Sequence, residues 1–212
     1  LSLRDPNMNA RFTPGINSDT YLKRLCEVNL ITAATPSMHN DHAVFAALSP
    51  MGYDIRDIRN WSATGCVEPT LSGKHISHTN MQMMNMVAAL EMALNNGRHP
   101  LTNWKLGPDT GIIEHGDFKS FDDFFDAFTE QFKFIIDQSI AYNNMLAEAH
   151  QYLRPTPLLS SLIEGCIDKG KDVTRGGALY NSSGTAIVGL ADVTDSLMAI
   201  KKLVYDEKKV TF

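Results

Sequence analysis

The run Gly65-Cys66-Val67-Glu68-Pro69 restricts this chain more than any other stretch. Glycine ahead of the cysteine permits backbone angles that other residues resist. Proline behind the glutamate fixes φ and removes an N–H donor. Such a run makes a poor helix and a good tight, rigid loop. In an extended loop, residues i and i+2 project to the same side. A thiol and a carboxylate two positions apart can then meet one small molecule together.

The 212 residues are 43% hydrophobic and 20% charged, an ordinary globular composition with enough apolar material for a sizeable core. A net charge of −5 argues against a nucleic-acid or anionic-membrane role. No apolar run approaches the ~18 residues of a membrane span. No secretory signal is visible at Leu1, where the chain reads as internal to a longer one. The three cysteines, Cys26, Cys66 and Cys166, are odd in number and far apart. They are not a disulfide framework, and they point to a reducing, cytoplasmic setting. There is no Cys-x-x-Cys pair for zinc or an iron–sulfur cluster.

Patterning predicts irregular structure over residues 1–16, then a helix capped by Ser18 and ended by Thr35-Pro36. A short helix over 41–47 and a helical turn over 54–59 follow. Residues 80–96 read as one helix buried on several sides, stopped by Asn95-Asn96-Gly97. Ser120 caps a long amphipathic helix to about Tyr152, with a stripe of Phe121, Phe124, Phe125, Phe128, Phe132, Ile135 and Ile136. Residues 158–167 favour helix, 178–180 and 185–190 favour short strands, and Asp192 caps a last helix facing Val193, Leu197, Ile200 and Val204 inward. No repeat or domain linker interrupts residues 1–212, which read as one piece of an α/β domain.

Beyond the cysteine run lie a Ser72-Gly73-Lys74 turn, MALNNG at 92–97, RPTPLLSS at 154–161 and DVTRGGALYNSSG at 172–184. Together these resemble the glycyl radical enzymes, the family of pyruvate formate-lyase, the glycerol and choline lyases, isethionate sulfite-lyase and arylacetate decarboxylases. The resemblance covers essentially the whole chain. It implies a ten-stranded α/β barrel of two parallel half-sheets, of which this helix-rich piece is a central part. The family's C-terminal Arg-Val-x-Gly-Tyr-like loop, home of its radical glycine, has no match here. The chain is thus expected to be a fragment, inactive alone. The same resemblance implies a protein-derived glycyl radical on a residue outside the fragment and an activase using S-adenosylmethionine and an iron–sulfur cluster. It also implies a homodimer of the full-length protein, a small polar substrate and anaerobic, oxygen-sensitive chemistry.

Under that resemblance Cys66 carries a thiyl radical and Glu68 is a general base, together cleaving a C–O, C–N, C–S or C–C bond. Taken alone, a free cysteine is usually a small buried hydrophobe and a glutamate a solvated surface residue. No packing rule calls for the pair in this motif. The pair suits the chemistry: S–H and activated C–H bonds are close in strength, and a desolvated carboxylate is a competent base. Thr79 and Asn80, one turn beyond the loop, and His99 are candidate substrate contacts. Arg175, Asn181, Ser182 and Ser183 either line an anionic subsite or only serve turns. His75-x-x-His78 lacks the third ligand of a zinc motif, so no metal site is expected. Glu164 reads as a capping or surface residue, and the methionines between 81 and 92 as core filler. Two other reactions stay open within the family, fumarate addition of the alkyl- or benzylsuccinate synthase type and arylacetate decarboxylation. Outside it stands a non-catalytic helical module.

Overall fold

The computed structural model describes residues 7–32, 35–76 and 78–212, with the side chains of 78–80 left out. In chain order the elements are β1 (Asn9–Phe12), α1 (Asp19–Thr32), β2 (Ser37–Asn40), α2 (Asp41–Leu48), α3 (Ile55–Arg59), β3 (Trp61–Thr64), β4 (Glu68–Leu71), β5 (His78–Asn85), α4 (Met86–Leu94), α5 (Phe121–Leu153), α6 (Pro157–Leu162), α7 (Cys166–Lys169), β6 (Ser183–Val188) and α8 (Leu190–Ile200). The described strands form three two-stranded sheets: β1 parallel to β2, β3 antiparallel to β4, and β5 with β6. Two compact units result. One joins the described residues up to Asn80 with Gln151–Ser183, and the other joins Met81–His150 with Gly184–Phe212.

In the first unit the expected Ser18 cap is in place, and two further caps accompany it. The Ser18 hydroxyl accepts from the Tyr21 amide at 3.2 Å. Asn40 caps α2 and Asp54 caps α3 through their side-chain oxygens. Pro50 and Gly52, the latter at φ +74°, close α2 through a tight turn. The stretch over residues 1–16 is not wholly irregular. Its strand β1 pairs with β2 in the register Asn9↔Ser37 to Phe12↔Asn40. Four-residue strands so far apart in sequence leave no periodic signal, because each is specified by the other. Residues 158–167 divide at Gly165, at φ +93°, into α6 and α7. Tyr180 contributes only an isolated bridge to His75.

The side of this unit that carries the cysteine run is built around a buried carboxylate. Asp41 is 6% exposed. It accepts from Arg11 Nε at 2.9 Å, Thr13 Oγ1 at 2.7 Å and Trp61 Nε1 at 2.8 Å. Arg11 also donates to the Trp61 and Arg59 carbonyls, at 2.6 and 3.0 Å, and its guanidinium lies 4.6 Å from the Trp61 ring centroid. Around this hub Val44, Trp61 and Leu71 are buried with Phe45, Leu48, Tyr53, Ala63 and Tyr180 packed on them. A second cluster joins Ile76, Cys166, Val173 and Ala178.

The second unit is organised by α5. Ser120 Oγ accepts from the Asp123 amide at 3.1 Å, and Asp123 Oδ2 accepts from the Ser120 amide at 2.8 Å. This is a reciprocal cap with aspartate in the place glutamate usually takes. Of the predicted stripe, Phe124 and Phe128 are buried against Ala89, Leu90, Ala93, Val193 and Leu197, whereas Phe125 is exposed. Gln131 shares the buried face and donates from Nε2 to the Pro108 carbonyl and Thr110 Oγ1. The expected single helix over 80–96 is corrected to β5 followed by α4. Pairing with β6 holds residues 81–85 extended, and Asn85 caps α4 by accepting from the Val87 amide at 3.0 Å. Of the methionines here, Met84 and Met92 are buried while Met83 is exposed. The last helix is capped by Gly189 rather than Asp192, which lies in its first turn. Among the described residues no helix is long and apolar enough to cross a membrane.

Replacing Asp41 with alanine in the intact protein should lower stability by about 2–3 kcal/mol, because the Arg11 and Trp61 donors lose their partner. Denaturant unfolding checks this. Burial by itself would raise the Asp41 pKa, but the bonds from Arg11, Thr13 and Trp61 outweigh it and leave the group below its usual value. With the folded pKa depressed, this stabilisation is complete at neutral pH. It is lost as the pH falls below about 4 towards the folded value.

Candidate active site

Strand β3 enters the site with Trp61 and Ala63 on its inward face, and β4 leaves it with Leu71 buried. The ladder runs from Trp61↔Leu71 to Thr64↔Glu68. Gly65, Cys66 and Val67 are therefore the three residues of a hairpin turn, with Gly65 at φ +58°. Proline at 69 lies in β4 opposite Ala63, where its fixed φ stiffens the start of the strand. The expected tight, rigid loop is present. It is a closed turn, however, and not an extended run.

Cys66 and Glu68 come together through the backbone. Glu68 Oε2 accepts from the Cys66 amide at 2.7 Å and the Val67 amide at 2.9 Å. The carboxylate thus folds back beneath the turn, with Oε1 left without a hydrogen bond among the described residues. Glycine at 65 is required for this: a Cβ there would stand 2.7 Å from Glu68 Oε2. The Cys66 carbonyl accepts from Asn7 Nδ2 at 2.5 Å. Cys66 is exposed and Glu68 half-buried in this chain, so the dry pocket expected for the carboxylate is not formed by these residues themselves. Sequence reasoning passes over Asn7, which lies in a stretch with no pattern, and no local signal could have found it.

The other candidates have definite places. Thr79 and Asn80 are the second and third residues of β5, and their side chains lie outside the described part. His99 belongs to the second unit, where its Nδ1 accepts from the Leu101 and Thr102 amides, each at 3.2 Å. Arg175 is occupied by the Gln151 carbonyl and lies over the Tyr152 ring. Asn181 donates to the Ala178 carbonyl, a turn contact. Ser182 Oγ lies 2.5 Å from Nε2 of the buried His75, whose Nδ1 has no hydrogen-bond partner among the described residues. Glu164 is a surface residue within 3.7 Å of Lys74. Among the described residues there is no cluster of three or more metal-ligating side chains.

One further polar hub supports this unit. Asp172 accepts from the Thr156 amide, Ser160 Oγ and both the amide and the hydroxyl of Thr174. Burial raises its pKa, but these bonds win and hold the carboxyl well below the usual range. The hub ties the start of α6 to the turn that contains Arg175.

The pattern of the pyruvate formate lyase-like family matches residues 1–212, and the chain belongs to that family. It is 35% identical to trans-4-hydroxy-L-proline dehydratase of Clostridioides difficile, over 99% of this chain and 26% of the relative. The glycerol-bound form of the B12-independent glycerol dehydratase from Clostridium butyricum superposes with a TM-score of 0.85. There the identity is 34%, over 97% of this chain and 26% of that one. A glycyl radical enzyme from Archaeoglobus fulgidus gives 0.82 and 34%, over 96% and 26%. The resemblance read from the sequence therefore holds. The chain is a helix-rich α/β part of the ten-stranded barrel of these enzymes, and it spans about a quarter of the length of the relatives it matches.

Gly65→Ala in the intact protein should strain the left-handed backbone and displace the Glu68 carboxylate, at a combined cost of about 1–2 kcal/mol. Amide exchange at Cys66 and Val67 should then quicken about tenfold, the factor that ~1.4 kcal/mol corresponds to. Unchanged exchange would mean that the carboxylate does not hold the turn.

Proposed function

We propose that the intact protein is a glycyl radical lyase of the dehydratase type, and that residues 1–212 supply the cysteine turn of its catalytic domain. What carries this reading is the Glu68 carboxylate folded against the amides of Cys66 and Val67. A thiol on the three-residue turn and a carboxylate at the first residue of β4 are thereby held together. The identity to two dehydratases over nearly the whole chain points the same way.

In such an enzyme a protein-derived glycyl radical, on a residue outside this chain and installed by an S-adenosylmethionine iron–sulfur activase, supplies the unpaired electron. Cys66, exposed at the tip of its turn, suits a thiol that must exchange a hydrogen atom with groups from elsewhere in the protein. As a thiyl radical it takes a hydrogen atom from a carbon that bears a hydroxyl or an amine and adjoins the carbon holding the leaving group. That O–H or N–H is thereby acidified, and Glu68, through Oε1, accepts its proton. The bond from the neighbouring carbon to its leaving group then breaks, and the group departs with the bonding pair. Cys66 S–H returns the hydrogen atom to the product radical. The substrate has then lost HX, with the proton on Glu68 accounting for its H. Thr79 and Asn80, and separately His99, remain the candidates for substrate contacts under the same reading.

In the full-length protein, activated under strict anoxia, trans-4-hydroxy-L-proline and glycerol are the probes that the relatives suggest. Turnover of one is expected, and turnover of neither overturns the dehydratase reading. Cys66→Ser should abolish the reaction. Glu68→Gln should lower it about 10²- to 10⁴-fold, whereas a radical-addition enzyme, which moves no proton, would keep much of its rate.

A further inference from the structure

The backbone of Cys66 is held on both sides, and only one of the two holds belongs to the cysteine motif. On the amide side it is the Glu68 carboxylate, at 2.7 Å. On the carbonyl side it is Asn7 Nδ2, at 2.5 Å, a residue 59 positions away. The amide of Asn7 must present its nitrogen here, because a carbonyl can only accept. The same amide is held in place by Ser37, whose Oγ stands 3.1 Å from Asn7 Nδ2 and 3.3 Å from Asn7 Oδ1. One hydroxyl can accept from the first and donate to the second. Ser37 itself opens β2, and its amide donates to the Met8 carbonyl at 2.7 Å, just ahead of β1. The parallel pair β1–β2 is therefore linked, through Ser37 and Asn7, to the peptide plane that follows Cys66.

The consequence is geometric. The plane after Cys66 is met twice, by Asn7 at the Cys66 carbonyl and by Glu68 at the Val67 amide, 2.9 Å away. With both flanking peptide planes held, the Cα–Cβ vector of Cys66 is set, and the sulfur's position depends on χ1 alone. Transfer of a hydrogen atom from carbon to sulfur requires that position to be right, since a displacement of about 1 Å can cost on the order of 10² in rate. We infer that Asn7, held in place by Ser37, is a positioning residue for Cys66: it aims the thiol by holding the cysteine's carbonyl. This inference rests on the thiyl reading proposed above.

The test uses the full-length protein with its activase. Asn7→Ala removes the donor, and Asn7→Asp keeps the shape but sets an oxygen against the Cys66 carbonyl. Both should lower kcat for the turned-over probe, hydroxyproline or glycerol, about 10- to 100-fold. KM and the spin yield of the stored radical should stay within twofold. Hydrogen exchange at the Cys66 and Val67 amides should quicken in both variants. Ser37→Ala should give a smaller shift in the same direction. A merely structural role would instead lower spin yield and unfolding temperature while leaving the ratio of kcat to spin unchanged. That result overturns the inference, as does unaltered exchange at the turn or an unaltered kcat. Cys66→Ser is measured alongside. If it keeps turnover, the thiyl reading fails. If it is dead while Asn7→Ala matches the parent, only the positioning role fails.

Discussion

The arrangement around the cysteine turn depends on one buried carboxylate. Asp41, at the start of α2, has its oxygens committed to Arg11 from β1, Thr13 just beyond it and the Trp61 indole of β3. A charge out of water is tolerable only when so fully paired. The pairing in turn dictates which elements lie side by side. Arg11 adds bonds to the Arg59 and Trp61 carbonyls, so the entrance to the hairpin is held at its main chain as well as its ring. Val44, Leu71 and Trp61 are buried together beside it, with Tyr53 packed on them. The polar hub decides the direction in which that burial can occur.

The turn built on this base is held by two further polar contacts that act at opposite ends of one residue. The Glu68 carboxylate takes the amides of Cys66 and Val67, and Asn7 takes the Cys66 carbonyl. Glycine at 65 makes room for the first, since any side chain there would meet the carboxylate oxygen. The carboxylate holds its own turn with one oxygen, and the other has no hydrogen bond among the described residues. Under the proposed function the same glutamate serves the backbone and the reaction.

Local signals were strong wherever a segment's own residues decide its shape. Ser18, Asp54 and Ser120 are caps, because a short side-chain oxygen next to unpaired amides needs no distant partner. The stop at 95–97 and the turn at Gly65 follow from the conformational freedom of asparagine and glycine. Signals failed where a segment's partner is remote. Residues 81–85 carry a helix-compatible run of methionines and become strand because β6 pairs with them. Phe125 fits the apolar stripe of α5 yet faces outward, while Gln131 is buried with its Nε2 donating to Pro108 and Thr110. Helical periodicity counts apolar residues and cannot see a hydrogen-bond partner across a loop.

Cys66 and Glu68 could be picked out from their letters and spacing, since a glycine, a thiol, a carboxylate and a proline in that order leave few backbone solutions and a distinct chemistry. The sequence by itself determined that pair, the tight turn that holds it, the main helices and the family. Only the tertiary structure decided that the glutamate folds back onto the cysteine's amide, that β1 and β2 run side by side, and that Asn7 reaches the cysteine's carbonyl. Those contacts join residues two to 59 positions apart through directional bonds. Such bonds are formed when chain segments meet in space, and no pattern along the chain records them.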